Sequence, residues 1–214
     1  MKTETKWLGM ILICTLILLF GGIFLLTRGN PLEVVDGATV FQIDYSRGQK
    51  IGSDSAKVRI VEFSDFECLA CAAVESYVAR LRAADPNKIQ FIYRHFPLSQ
   101  HVHSSQAAAL AEAAGEQGKF WEMHDKLLET QARWSSMNDA TSFFMDLVKE
   151  LGLDEDKIKQ AMAGNVIKAK IDSDAAEGNS LGISQTPTFF VNGRKLDLQK
   201  FEDLDTLVEQ ELKK

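Results

Sequence analysis

The stretch "KVRIVEFSDFECLACAAVESYVARLRAADPNKIQFIYRHF", residues 57–96, decides the fold. Its first part, residues 57–66, carries Val, Ile and Phe at both alternating positions, which is typical of a strand in a sheet that helices cover on both sides. An amphipathic helix follows, because apolar side chains recur from Cys71 to Leu81 at spacings of 3, 4 and 3 residues. Residues 88–96 predict a second strand. This order is that of a βαβ unit with parallel strands, so the sequence indicates an α/β protein.

The rest of the chain predicts how the sheet is completed. After a long helical region, "TPTFFVNGRKLDL" restores β-character, with Asn192-Gly193 as the two-residue turn of a hairpin, and a terminal helix follows. The chain is therefore predicted to be one α/β sheet domain that a helical insertion interrupts. Its segments are a tether with a first strand at "ATVFQI" (29–56), the first half of the sheet domain (57–100), the insertion (101–182) and the second half (183–214).

The N-terminal segment, residues 1–28, predicts a membrane anchor. As a helix, the uncharged run Trp7–Leu26 is long enough to cross a hydrocarbon core of about 30 Å. A cleaved signal peptide is the alternative, but the run exceeds the usual apolar region of about 7 to 15 residues and no small-residue cleavage site follows it. Because Lys2 and Lys6 precede the run, we expect the remainder of the chain to lie outside the cytoplasm, on the periplasmic or extracellular side.

Charge and cysteine content exclude two classes of protein. The formal net charge is -6, and no basic cluster is interleaved with aromatic residues, so we expect no binding to nucleic acid. Of the three cysteines, Cys14 lies inside the apolar run. Only Cys68 and Cys71 remain, which is too few for a framework of structural disulfides.

The two remaining cysteines form a C-x-x-C motif where the first strand gives way to the helix. The backbone amides and the positive end of the helix dipole favour a thiolate at Cys68, which we expect to be exposed and nucleophilic. Cys71 lies one turn further, on the apolar face, and should be shielded. Half of a zinc site is the alternative, and its other ligands would have to come from the four histidines, His95, His101, His103 and His124.

Two further residues are candidates for the same site. Glu62 lies within the doubly buried strand, where a carboxylate needs either a salt-bridge partner or a proton. In the second case it could exchange a proton with Cys71. Pro187 opens a predicted strand, and a trans peptide bond is the default before any proline.

Five features together resemble the DsbA-like thiol:disulfide oxidoreductases of the thioredoxin superfamily, over about Lys50 to Leu212. They are "EFSDFEC" at the end of a strand, C-x-x-C at a helix start, "IYRHFPL", the helical insertion and "TPTFFVNG". The resemblance implies a thioredoxin fold. It also implies a role for each of five residues: nucleophile (Cys68), resolving cysteine (Cys71), buried proton acceptor (Glu62), cis-proline (Pro187) and contact with substrate backbone (Thr186).

The residues between the cysteines differ from the family pattern. Leu69 and Ala70 stand where the family commonly has proline and an aromatic residue or histidine, and their side chains carry neither a hydrogen-bond donor nor a charge. We expect them to contact the substrate together with Thr186 and Pro187.

The function that follows from this resemblance is disulfide exchange with exported proteins. A membrane-tethered enzyme would pass its Cys68–Cys71 disulfide to cysteine pairs of its substrates, without a diffusible cofactor, and a membrane redox partner would reoxidise it. A reductase or isomerase of the same compartment would use the same residues. A binding module or chaperone, in which the cysteines are only a stabilising clip, is the alternative from another class.

Overall fold

The computed structural model describes residues 39–198 and 200–214, which build a five-stranded mixed sheet. The strands are β1 (Gln49–Ile51), β2 (Val58–Ser64), β3 (Ile89–His95), β4 (Thr188–Val191) and β5 (Arg194–Leu196), in the order β1-β3-β2-β4-β5. Among them β2 and β3 pair in parallel, and the other neighbours are antiparallel. The predicted parallel βαβ unit is therefore confirmed.

Helices account for most of the remaining described chain. They are α1 (Leu69–Arg82), α2 (Ser104–Glu116), α3 (Phe120–Glu129), α4 (Gln131–Trp134), α5 (Thr141–Glu150), α6 (Glu155–Ala163), α7 (Asn165–Ser180) and α8 (Glu202–Lys213). The buried face of α1 is the one that the spacing predicted, from Cys71 to Leu81. Within the described part of the chain, no helix is both long and apolar enough to span a bilayer. The predicted anchor, Trp7–Leu26, lies outside the described residues.

The helical insertion is fastened to the sheet by a buried ion pair. Arg94 in β3 places its Nη1 atom 2.6 Å from Oδ1 of Asp174 in α7, and both side chains are buried. At Gly178 the same helix approaches the core so closely that a Cβ atom would lie 2.6 Å from the ring of Phe96. One helical turn, α4, was not predicted, and its Trp134 is buried with the indole donating to the carbonyl of Leu127 at 2.9 Å. These contacts fix the insertion beside β3.

The first strand is not where the sequence predicted it. "ATVFQI" forms a single bridge, from Val40 to Arg194, and the ladder instead contains Gln49–Ile51, paired with β3. Ile43 is buried in the core and Phe41 packs against it, so their apolar character reflects packing and not a ladder. At Gly52, φ is +99° and a Cβ atom would lie 2.3 Å from the carbonyl oxygen of Ile89, so glycine lets β1 approach β3.

The hairpin near the end of the chain forms as predicted. Asn192 and Gly193 both have positive φ, 49° and 79°, which is the geometry of the two-residue turn that such a hairpin requires. Phe190 of β4 contacts Phe63 of β2 edge to face, with ring centroids 6.0 Å apart. This packing brings the residues that precede β4 next to the end of β2.

Candidate active site

Cys68 lies where the chain turns from the end of β2 into α1. It is the N-cap residue of α1, with extended backbone angles (φ -76°, ψ 122°), so the free amides of the first helical turn are close to its side chain. Its thiol donates a hydrogen bond to the carbonyl oxygen of Thr186 at 3.2 Å. Thr186 is 118 residues further along the chain, so the two halves of the sheet domain meet at this sulfur.

The thiolate form of Cys68 is strongly stabilised. A hydrogen bond from the Cys71 thiol contributes most, and the backbone amides of Cys71 and Ala70 add to it. Although burial opposes them, these interactions lower the pKa of Cys68 from 9.0 to about 5. The helix start therefore supplies donors that the side chains of Leu69 and Ala70 cannot, as the position of Cys68 predicted.

The two cysteines differ in access to solvent and in protonation. Cys68 is 9% exposed and Cys71 is 1% exposed, and both are free thiols. Cys68 is the more exposed of the two, as predicted. The prediction that Cys68 is an exposed residue is wrong, because Thr186 covers its sulfur. Burial, and then the hydrogen bond to Cys68, raises the pKa of Cys71 well above its ordinary range. One sulfur is thus poised as a thiolate while its neighbour keeps a proton.

Glu62 lies beneath α1 and is buried in the middle of β2. Burial, and then the negative charge of the Glu75 carboxylate, raises its pKa to about 8. Its Oε2 atom has no hydrogen-bond partner among the described residues, which does not support the interpretation of Glu62 as half of a salt bridge. The negative charge of Glu62 is in turn one cause of the raised pKa of Cys71, so the two groups are electrostatically linked.

The segment opposite the cysteines has the backbone geometry that the resemblance implies. The Thr186–Pro187 peptide bond is cis, and Thr186 is buried while Pro187 is half-buried. On the other side of the sulfur, Leu69 and Ala70 are exposed. The residues predicted to contact substrate therefore flank the nucleophile, and their contact with substrate stays a prediction.

The four histidines that a zinc site would need have other partners. His95 Nε2 lies 2.8 Å from Glu112, His101 Nδ1 lies 2.8 Å from Asp65, and His124 Nδ1 lies 2.9 Å from Asp125. His103 Nε2 donates to the backbone carbonyl of Met137 at 2.7 Å. In the part of the chain that the structure describes, the cluster of potential metal ligands consists of Glu75, His124 and Asp125, without either cysteine. The structure does not bring the histidines together around the C-x-x-C motif.

The model of one protein family, described as thioredoxin, matches residues 46–210. The chain belongs to the thioredoxin family. Curated relatives include the Na(+)/H(+) antiporter NhaA 1 of Salinispora arenicola (strain CNS-205), 37% identical over 154 residues that cover 72% of this chain and 23% of that protein. The antiporter NhaA 1 of Mycolicibacterium gilvum (strain PYR-GCK) is 31% identical over 171 residues, 78% of this chain and 27% of that protein. This thioredoxin-family chain spans about a quarter of the length of these relatives.

Solved structures share the fold of this thioredoxin-family member. BdbD from Bacillus subtilis superposes with a TM-score of 0.72 at 22% identity, covering 83% of this chain and 99% of that one. A thioredoxin-like oxidoreductase from Silicibacter pomeroyi DSS-3 superposes with a TM-score of 0.65 at 27% identity, covering 78% of this chain and 92% of that one. Alpha-DsbA1 from Wolbachia pipientis superposes with a TM-score of 0.69 at 20% identity, covering 81% of this chain and 94% of that one. The predicted DsbA-like resemblance and the thioredoxin fold with a helical insertion are confirmed.

The thioredoxin-family site also contains a buried acid that the sequence did not reveal. Asp65, three residues before Cys68, accepts hydrogen bonds from the amides of Glu67 and Leu98, each at 2.8 Å. It also accepts one from Ser104 at 2.5 Å and pairs with His101. An acidic residue directly after a buried strand is the signal that could have indicated this role. Asp65 fixes the turn that leads into the nucleophile.

A glutamine from the helical insertion of this thioredoxin-family chain also contacts the loop that leads into Cys68. Gln131 in α4 donates through Nε2 to the carbonyl oxygens of Phe66 at 2.7 Å and of Cys68 at 2.9 Å. Glu67 accepts from the amide of His103 at 2.7 Å. No pattern in the sequence pointed to Gln131, because its partners are backbone atoms more than sixty residues away. The helical insertion therefore braces the active-site loop.

Proposed function

We propose that this thioredoxin-family domain is a thiol:disulfide oxidoreductase that introduces disulfides into exported proteins. The observation that carries the proposal is the pairing, within one helical turn, of a thiol whose pKa is lowered to about 5 with a buried thiol whose pKa is raised. A low thiolate pKa stabilises the reduced pair and so makes its disulfide a stronger oxidant. The shared fold supports the general activity, and the direction of electron flow is our inference.

In the proposed reaction a substrate thiolate attacks Cys68 Sγ of the Cys68–Cys71 disulfide. The bond between the two enzyme sulfurs breaks, Cys71 leaves and takes up a proton, and a mixed disulfide joins substrate to Cys68. The second substrate thiolate then attacks the substrate sulfur, and Cys68 departs as the thiolate that its low pKa favours. The substrate loses two electrons and the enzyme pair gains them. The redox-active disulfide is the only cofactor in this scheme.

The surface around the nucleophile supports an unfolded polypeptide as the substrate. Leu69, between the cysteines, is 76% exposed, and Val102 is 78% exposed. Val102 lies between two histidines that bond to the loop before Cys68, and His103 also bonds the carbonyl of the exposed Met137. Exposed apolar side chains near a reactive sulfur suit chains that have not yet buried their own apolar residues.

Location and partners extend the proposal. We infer that Trp7–Leu26 anchors the domain to a membrane with the site outside the cytoplasm, because basic residues precede the apolar run. Each catalytic cycle leaves the pair reduced, so a membrane redox partner that accepts two electrons would regenerate the disulfide.

The decisive experiment is the reduction potential of the Cys68–Cys71 couple, measured by equilibration with glutathione buffers. We expect a value well above that of thioredoxin, about -270 mV, as for an oxidase. A value near or below it would favour a reductase or isomerase of the same compartment. A reduction potential in the range of an oxidase, without turnover of a dithiol peptide, would point to a binding module or chaperone. Zinc bound to the purified protein would favour the alternative in which the cysteines are half of a zinc site.

A further inference from the structure

Proton movement at Cys71 requires more than one carrier. In the proposed reaction, on which this inference rests, Cys71 takes up a proton when its disulfide opens and loses it when the disulfide reforms. Cys71 and Glu62 are both buried, so a proton that Glu62 takes from Cys71 has no direct contact with bulk water. A second carrier must connect Glu62 to the solvent.

A group of four side chains from α1 and α3 lies beside Glu62, and we call it the acid–histidine cluster: Glu75, Arg82, His124 and Asp125. Arg82 Nη2 donates to Oε1 of Glu75 at 2.5 Å and to Oδ1 of Asp125 at 2.6 Å. His124 is fully buried, with Nδ1 2.9 Å from Oδ1 of Asp125 and Nε2 4.0 Å from Oε2 of Glu75. Side-chain exposure rises to 19% at Glu75 and 53% at Asp125. The cluster therefore leads from the interior to the surface.

The cluster lies on the same side of the sheet as Glu62. Glu62 is in register with Tyr93 on the neighbouring parallel strand, so their side chains share one face. The ring of Tyr93 contacts the ring of His124, with centroids 5.0 Å apart at 88°. The carboxylate of Glu75 is also close enough to Glu62 to raise its pKa. Glu62 and His124 thus lie on the same face of the sheet, and Glu75 of α1 lies 4.0 Å from His124.

The hydrogen bond to Asp125 fixes the tautomer of His124. Partial burial opposes ionisation of Asp125, but the bond from His124 and the charge of Arg82 outweigh it and lower the pKa of Asp125. An ionised carboxylate can only accept, so Nδ1 of His124 carries the proton. Burial lowers the pKa of His124, which leaves Nε2 with a free lone pair. This Nε2 has no hydrogen-bond partner among the described residues, and Glu75 is within 4.0 Å of it.

The geometry points to Glu75, His124 and Asp125 as the route by which the proton of Cys71 reaches solvent. The proton leaves Cys71 Sγ for the Glu62 carboxylate and passes to Glu75. A small rotation of the Glu75 side chain closes the gap to His124 Nε2, and as Nε2 accepts the proton, Nδ1 releases its own to Asp125 and then to water. The reverse sequence delivers a proton when the disulfide opens. Arg82 is a positioning residue, because it holds both carboxylates.

The test isolates the step in which Cys71 must lose its proton. The reduced whole protein reacts with dithiobis(nitrobenzoate), so that Cys68 carries a mixed disulfide with thionitrobenzoate. Attack by Cys71 then releases thionitrobenzoate and one proton, and the rate is followed by stopped-flow absorbance across pH. The ionisable groups that face the route in this mixed disulfide are Cys71, Glu62, Glu75, Arg82, Tyr93, His124 and Asp125.

Glu75→Gln keeps the shape of the side chain and removes its capacity to carry a proton. We expect the plateau rate of thionitrobenzoate release to fall about tenfold. This is less than the roughly 10²- to 10⁴-fold of a complete general acid–base contribution, because Glu62 is still present, and added imidazole should restore part of the rate. Asp125→Asn, at an exposed position, should lower the plateau by a smaller factor. Asp205→Asn is the matched control, because Asp205 also pairs with an arginine of α1, at 2.7 Å, but through Arg80 on the exposed surface.

A purely electrostatic role gives a different result. Removing the charge of Glu75 would then lower the pH midpoint of the profile, since Glu62 would ionise more easily, and leave the plateau unchanged. If Glu75→Gln has the plateau rate of the wild-type protein, the whole inference is wrong. If only Asp125→Asn has the wild-type plateau rate, the part of the route through His124 and Asp125 is wrong. Failure of the proposed function shows separately, as wild-type protein that releases thionitrobenzoate normally but does not oxidise a dithiol peptide.

Discussion

Replacing Glu62 by Gln should stabilise the folded protein at alkaline pH and leave it almost unchanged at acidic pH. Glutamine has nearly the shape of a protonated carboxyl group and never carries a charge. The pKa of Glu62 is raised in the fold, so the native state holds a proton that the unfolded chain has released. The contribution of this protonated carboxyl to stability is complete below the unfolded pKa and is lost as pH rises through the folded pKa.

The magnitude follows from the size of the shift. The pKa of Glu62 moves from 4.5 to about 8, mainly because burial disfavours the charged form. One pKa unit corresponds to about 1.4 kcal/mol, so the wild-type protein should lose on the order of 4 kcal/mol relative to Glu62→Gln between pH 4.5 and pH 8. The lowered pKa of Cys68 acts with the opposite sign, but it is present in both proteins and largely cancels from the difference.

The assay is urea denaturation of both reduced proteins, followed by circular dichroism at a series of pH values. The difference in free energy of unfolding should be small near pH 4.5 and grow until about pH 8, the folded pKa of Glu62. Glu209→Gln is a suitable control, because Glu209 is an exposed partner of Lys213 and should show no such trend. A difference that is the same at both ends of the pH range would refute the reasoning, since Glu62 would then not be held neutral by burial.

Further predictions concern the cysteines and their supporting loop. Iodoacetamide should alkylate Cys68 of the reduced protein with a midpoint near its pKa of about 5, while Cys71 lags; a midpoint above pH 8 contradicts the thiolate assignment. Cys71→Ala should accumulate mixed disulfides with substrate proteins on gels without reductant, whereas Cys68→Ala should trap few, and equal trapping would show that access does not separate the two sulfurs. Asp65→Asn should cost about 3 kcal/mol of stability in urea denaturation, because a buried acceptor of charge-assisted bonds is lost, while Asp139→Asn, on the surface, should cost little.

The parts of the fold that could be predicted are those with a local pattern. The doubly apolar strand, the face of α1 and the Asn192-Gly193 turn each depend on neighbouring residues, and each appears where the sequence indicated. The first strand could not be placed, because Gln49–Ile51 is short and half-buried, whereas Phe41 and Ile43 of the more apolar run pack against the core without a ladder.

The candidate site was predictable in its chemistry and less so in its surroundings. The position of Cys68 at a helix start predicted the backbone amides that stabilise its thiolate, although the Cys71 thiol contributes more. Thr186 and Gln131 contact Cys68 from positions 118 and 63 residues further along the chain. Sequence periodicity gives no signal for contacts between such distant residues. Asp65 has a local signal, its position directly after a buried strand, but its partners Leu98 and Ser104 lie 33 and 39 residues further along the chain.

The contact between Cys68 and Thr186 has a consequence for the order in which the chain is made. A ribosome that adds about 5 to 20 residues per second needs roughly 6 to 24 seconds to pass from one residue to the other. During that interval both cysteines have left the ribosome's active centre while the segment that covers Cys68 does not yet exist. A nascent chain halted before Thr186 should therefore react with a bulky maleimide at Cys68 much faster than the finished protein does. The reactive sulfur is thus covered by a segment that is synthesised 118 residues later.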